Sequence, residues 1–190
     1  MKGRFTVAIA AVAVLGLSAA GVASTAGAAA KNKNVIRIVG GTTVKPGHYL
    51  KVDLRFTPLN KTVKSGSTVK LLNRGTEGLA EPHTISFVKK RYLPKMFESA
   101  VDAKLREAHQ VDPENEDAPP GALVVDNGQP VPPGGTLEVD TMFTPNVAGD
   151  SAFIAPGQKS FSFKVTAKKG SRLYYYCAIH PWMQGKLTVN

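Results

Sequence analysis

Only one cysteine, Cys177, occurs in the 190 residues of this chain. An internal disulfide is therefore excluded. Histidine is also scarce: there are four, His48, His83, His109 and His180, and no two of them form a His-x-His pair. No methionine-rich or histidine-rich tract is present. Acidic residues are few, 14 against 24 lysines and arginines, leaving a formal charge of +10. A basic chain can pair with nucleic acid, acidic surface polymers or an acidic protein. Here the cations are dispersed, apart from small clusters at 89–91 and 168–169, and no aromatic residues interleave with them. A nucleic-acid partner is thus not expected, and the charge is read as solubility and steering toward a protein partner.

Long apolar runs are missing too, except at the start. Lys2 and Arg4 precede an unbroken apolar stretch at 7–17, small residues follow, and an Ala-x-Ala ends at Ala30. That is the layout of a cleaved signal peptide over residues 1–30. An uncleaved membrane anchor is the alternative. The weakly hydrophobic Ala/Gly content and the small-residue cleavage site disfavour it. No cysteine lies near the cleavage region, so a lipid-modified N-terminus is excluded. The expectation is an exported protein (extracellular, periplasmic or in the cell envelope) with no integral membrane span after cleavage. Residues 31–190 then form one domain, long enough for its own core.

That domain reads mostly as strands. In LKVDLRF, Leu50, Val52, Leu54 and Phe56 alternate with Lys51, Asp53 and Arg55. TLEVDTMF and FSFKVTA alternate in the same way, and shorter apolar runs occur at 35–39, 69–72, 84–88, 173–177 and 186–189. Turn signals such as KSGS, PPGG, PGQKS and KKGS separate them. About eight short strands punctuated like this indicate a β-sandwich or barrel. One segment, 94–110, instead places Phe97, Val101, Leu105 and Ala108 at helical spacing, and an acidic, proline-rich loop follows it. The expectation is an all-β domain carrying one helix-containing insertion at about 89–135.

A lone cysteine in an exported protein needs protection from oxidation. It can be a buried core thiol, half of an intermolecular disulfide, or a thiolate held by a metal. The spacing Cys177-x-x-His180-x-x-Met183, in a loop between two strands, favours the metal. Thioether and thiolate together suit copper, whereas zinc seldom takes a thioether. A further imidazole is needed. His48 sits beside a turn and reads as solvated. His109 ends the expected helix, where a cation complements the dipole. His83 opens a strand on the same parity as Ile85 and Phe87, so it points toward the core, either as a ligand or as a buried histidine hydrogen-bonded to backbone; beside the C-terminal loop the ligand role is favoured. His83, Cys177, His180 and Met183 make up the donor set of a type 1 copper site, with one copper per chain.

YYYCAIHPWMQGKLTV resembles the C-terminal ligand loop of the cupredoxins, in particular the short loop of the plastocyanin/amicyanin type. NRGTEGLAEPHTISF is similar to their upstream Pro-His segment. The resemblance covers about 48–88 and 136–190. It implies a Greek-key β-sandwich, a His83–Cys177–His180–Met183 metal site, one-electron transfer between redox partner proteins that dock transiently, and electron exit through His180. The chain departs from the family in two places. His83 and Cys177 are 94 positions apart, because the insertion lies between them. Thr84 stands where many members carry Asn, and its hydroxyl and N–H are expected to tie the two ligand segments together. Pro181 and Trp182 are expected to stiffen the loop and put an apolar surface around His180, with core packing as the other role for Trp182, and Gly185 to let the chain turn into the last strand. Three functions compete: electron carrier, copper storage or delivery, and copper enzyme. The enzyme needs further metal sites that the histidine count does not supply, so none is expected.

Overall fold

The computed structural model describes residues 33–74, 81–115 and 118–190. The expected signal peptide, 1–30, lies outside them. Among the described residues no helix is long and apolar enough to cross a membrane.

In chain order the strands are β1 (Val35–Val39), β2 (Thr42–Lys45), β3 (Tyr49–Val52), β4 (Arg55–Thr57), β5 (Asn60–Val63), β6 (Thr68–Asn73) and β7 (His83–Val88). After a short helix α1 (Asp102–Ala108) come β8 (Val124–Asp126), β9 (Gln129–Pro130), β10 (Glu138–Val139), β11 (Ser151–Ile154), β12 (Ser160–Val165), β13 (Arg172–Tyr176) and β14 (Gln184–Val189). They form a five-stranded sheet, β10-β12-β6-β1-β4, a seven-stranded sheet, β5-β14-β13-β7-β11-β8-β9, and a separate β2-β3 hairpin. The two larger sheets enclose one core. Its centre is aromatic, with Phe87 against Phe163 and Tyr175, and Tyr175 edge-on to Phe56. A side chain of that size contributes about 1.5–3 kcal/mol when fully buried. The all-β sandwich expected from alternation is thus the observed architecture.

Two segments depart from the expectation. The alternating run 50–56 breaks into β3 and β4, which pair in different sheets, and Leu50 is 66% exposed. Parity alone cannot show where a strand leaves its sheet. The helix is shorter than 94–110 and begins at Asp102, with Phe97 outside it and 70% exposed. Val101, Leu105 and Ala108 do face inward. With Ala122, Val125, Val88, Phe143 and Tyr176 they make a second, smaller core on the outer face of the seven-stranded sheet. The insertion therefore covers one flank of the sandwich. It is also tied to the sequence that follows Cys177, since Gln184 Nε2 donates to the carbonyls of Pro94 (2.8 Å) and Pro181 (3.0 Å).

What matters for the site is the middle of the larger sheet. β13 and β7 are antiparallel neighbours, with Tyr176 opposite Ser86. The first residue of β7 and the residue just after β13 therefore meet at one end of the sandwich, across a gap of 94 positions.

Candidate metal centre

His83 opens β7 and is fully buried. Cys177 follows β13 and is fully buried as well. The loop after it is closed by two backbone bonds: Cys177 N–H donates to Met183 C=O at 3.0 Å, and Met183 N–H to His180 C=O at 2.8 Å. This places His180 at the turn, half-buried, and Met183 beneath it, fully buried within the main core.

The nitrogen and sulfur donors of His83, Cys177 and His180 all lie within 4.8 Å of one another. Cys177 Sγ is 3.9 Å from His83 Nδ1 and 3.7 Å from His180 Nδ1. A metal about 2.3 Å from sulfur and about 2.0 Å from nitrogen, with an angle near 120° at the metal, requires a sulfur–nitrogen separation of about 3.7 Å. The spacing of the three donors therefore fits an ion between them. A buried thiol facing two imidazoles, with a buried thioether in the same loop, also has the chemical character of a copper site.

The surroundings hold the two imidazoles in their ligating form. Burial, and secondarily the charge of His180, holds His83 down at about 4. His180 is also lowered by burial, against the opposing pull of Glu81. Both rings are then neutral near pH 7, each with a lone pair to offer. Glu81 Oε2 lies 3.4 Å from His180 Nε2. A carboxylate can only accept, so it favours the tautomer with the hydrogen on Nε2 and the Nδ1 lone pair toward the sulfur. Burial pushes the Cys177 thiol up, while N–H groups of Thr84, His180 and Ile179 and the Thr84 hydroxyl favour the thiolate. The Thr84 N–H reaches Cys177 Sγ at 3.3 Å. In such a buried place a cation is what makes the thiolate stable. Among the described residues, His83 Nε2 has no hydrogen-bond partner.

The tie expected of Thr84 is present. Its N–H meets the sulfur, and its Oγ1 accepts from Ala178 N–H at 2.7 Å, so one residue links both ligand segments. Trp182 is 46% exposed and lies edge-on to the His180 ring at 5.4 Å, so it forms the apolar surface expected around His180 and is not core. Two other expectations change. Gly185 sits inside β14 rather than in a turn. A Cβ there would come within 2.4 Å of the Tyr175 ring, so its role is close packing. His109 is buried and hydrogen-bonded at both ring nitrogens instead of serving as an exposed dipole partner. His48 is exposed beside its turn, as expected.

Glu81 was not foreseen. Its only mark in the sequence is an acid two residues before His83, too common a feature to signify a contact with His180. Ser86 and Ser151 were also missed, because a small hydroxyl within a strand leaves no pattern.

No protein-family model and no curated protein matches the chain. Similar solved structures include a purple cupredoxin from Nitrosopumilus maritimus, 16% identical over 82% of this chain and 98% of that one, at a TM-score of 0.36. Auracyanin B is 15% identical over 82% of this chain and 86% of its own, at 0.41. Auracyanin A, a "blue" copper protein of Chloroflexus aurantiacus, is 19% identical over 82% and 99%, at 0.35. The case for a metal rests on the donors' own geometry.

Proposed function

We propose that this chain is a cupredoxin-type, type 1 copper protein that carries single electrons between redox partners, with His83, Cys177, His180 and Met183 as ligands. One observation carries the assignment: two imidazole nitrogens face a buried thiol at 3.9 and 3.7 Å, the separations an ion between them requires. Copper bound there supplies one-electron chemistry. The protein's part is to keep the donors still. Cys177 and Met183 are pinned by backbone bonds on either side of the turn, and His83 begins a central strand buried along its whole length. A shell that cannot relax keeps reorganisation small when charge changes. His180 is the donor nearest solvent, between Ile179 (41% exposed) and Trp182 (46% exposed). An apolar rim of that kind suits brief, weak docking of a partner protein.

Copper delivery is the competing role. A delivery site has to release its ion readily, which exposed, loosely held donors favour. Here three of the four proposed ligands are fully buried. An enzyme reading lacks a second centre: among the described residues only one group of donors has metal-binding spacing, and His109 is committed to Ala122 and Ser151. Export, directed by residues 1–30, belongs to the same proposal, and the mass of the secreted chain tests it.

The deciding experiment is the visible and electron-paramagnetic-resonance spectrum after one equivalent of Cu(II). An intense thiolate-to-copper band that bleaches reversibly with a mild reductant is expected. A colourless chain would overturn the assignment, and a chain that yields its copper to a weak chelator would favour delivery.

A further inference from the structure

A line of buried polar groups runs from the insertion to the sulfur. His109 Nδ1 is 2.6 Å from Ala122 C=O, and His109 Nε2 is 2.9 Å from Ser151 Oγ. Ser151 Oγ is 2.8 Å from Ser86 Oγ, which donates to Thr84 Oγ1 at 3.1 Å. Thr84 Oγ1 accepts from Ala178 N–H, and the Thr84 N–H donates to Cys177 Sγ. Ser86, Ser151 and His109 are 0%, 0% and 3% exposed, so water does not substitute for these partners. The line crosses β7 and β11 through the facing pair Ser86 and Ser151.

Each hydroxyl has one hydrogen, so the directions of these bonds are linked. Ser86 spends its hydrogen on Thr84. Ser151 must then donate to Ser86, and so accepts from His109 Nε2. Nδ1 faces a carbonyl, which only accepts. Both ring nitrogens therefore carry hydrogen when the line is bonded in this sense. Thr84 Oγ1 then accepts twice, from Ser86 and Ala178, and its own hydrogen is free to turn to the Cys177 sulfur. With a neutral ring, Nε2 accepts instead. Ser151 turns to the ring, Ser86 to Ser151, and Thr84 to Ser86, so the sulfur loses one donor.

We propose that His109, Ser151 and Ser86 are a positioning relay that transmits the protonation of His109 to the Cys177 sulfur through the Thr84 hydroxyl, so that electron uptake at the copper centre is coupled to proton uptake on His109. The coupling to electron transfer rests on the copper reading; the relay itself does not. In the coupled step one electron arrives from the redox partner and one solvent proton adds to Nε2. The three hydroxyl hydrogens reorient and no O–H bond breaks. A donor on the sulfur favours the reduced, more thiolate-like state, so the potential rises as pH falls. Solvent approaches through a cavity of about 600 Å³ lined by Thr84, Phe97, Arg106, His109, Pro120 and Ile179. Burial holds the ring below the ordinary histidine range, against the pull of the Ala122 bond.

The charged groups around His109 are otherwise engaged. On its own helix Asp102 accepts from Ser99 N–H and Tyr176 Oη, Glu107 pairs with Lys104, and Arg106 lines the cavity with Glu98. From β11's side, Asp150 accepts from the N–H groups of Asn127, Asp140 and Thr141. None of these carboxylates is hydrogen-bonded to the ring.

The test is a pH titration of the metal-free full chain by amide and imidazole NMR, repeated with Ser86→Ala and Ser151→Ala. In the wild type the Thr84 and Ala178 amide signals are expected to shift with the His109 midpoint. In either variant the ring still titrates, and that component of the amide shift is lost. Flat amides in the wild type, a ring that takes up no proton while the chain stays folded, or variants that keep the coupling would overturn the relay. In the copper-loaded chain the potential should rise as pH falls through the same midpoint, and Ser86→Ala should flatten that slope. An unchanged slope refutes the redox coupling. Coupled amides in a chain without a thiolate-to-copper band would keep the relay and refute the copper reading instead.

Discussion

Cys177 illustrates how the meaning of a residue depends on its neighbours. Alone it is a buried thiol, and burial pushes its ionisation up. With imidazole nitrogens at 3.9 and 3.7 Å it becomes a metal donor, whose thiolate form a bound cation would stabilise. Cys177→Ser is expected to abolish the thiolate band and weaken copper binding, read by visible absorption. Met183→Ala should leave copper bound and change the reduction potential, since a thioether is the weakest of the four donors. Thr84 acts through two atoms. Thr84→Val keeps the N–H on the sulfur but removes the acceptor of Ala178 N–H. Leaving that group unpaired is expected to cost about 1–3 kcal/mol in urea unfolding.

Among the elements, β13 and β14 show how the site is backed. Tyr175 stands opposite Gly185 in their register, and its ring occupies the space a side chain would need. Gly185→Ala is therefore expected to destabilise the chain by about 1–3 kcal/mol through overpacking, measured as a lower denaturation midpoint. The same strand pair shows why element ends were hard to read. Alternation runs through Cys177 in the sequence, yet the strand stops at Tyr176 so that the next residue can turn into the loop. In the insertion, helical spacing from Phe97 suggested a longer helix. Only Val101, Leu105 and Ala108 have a surface to pack on, and the helix forms where they do.

For the molecule as a whole, folding and metal binding are linked through protons. The folded pKa of His83 is depressed from 6.5 to about 4. Below pH 6.5 the unfolded chain takes up a proton that the folded chain refuses. Stability of the metal-free protein should thus be full above 6.5 and fall as pH drops toward 4, by on the order of 2–3 kcal/mol from this residue alone. His180 and His109, lowered in the same direction, deepen the loss. Urea midpoints at pH 7 and pH 4.5 check this. The donor types and the loop Cys177-x-x-His180-x-x-Met183 were legible in the sequence, because a ligand loop is local and spacing records it. So was the sandwich, because strand burial repeats every second residue. The meeting of His83 with Cys177, the hold of Glu81 on His180 and the burial of His109 against Ser151 were decided only in three dimensions. They depend on which strands lie side by side: parity and the Pro-His segment marked His83 as a candidate, but pairing across 94 positions is set by the sheet and not by local pattern.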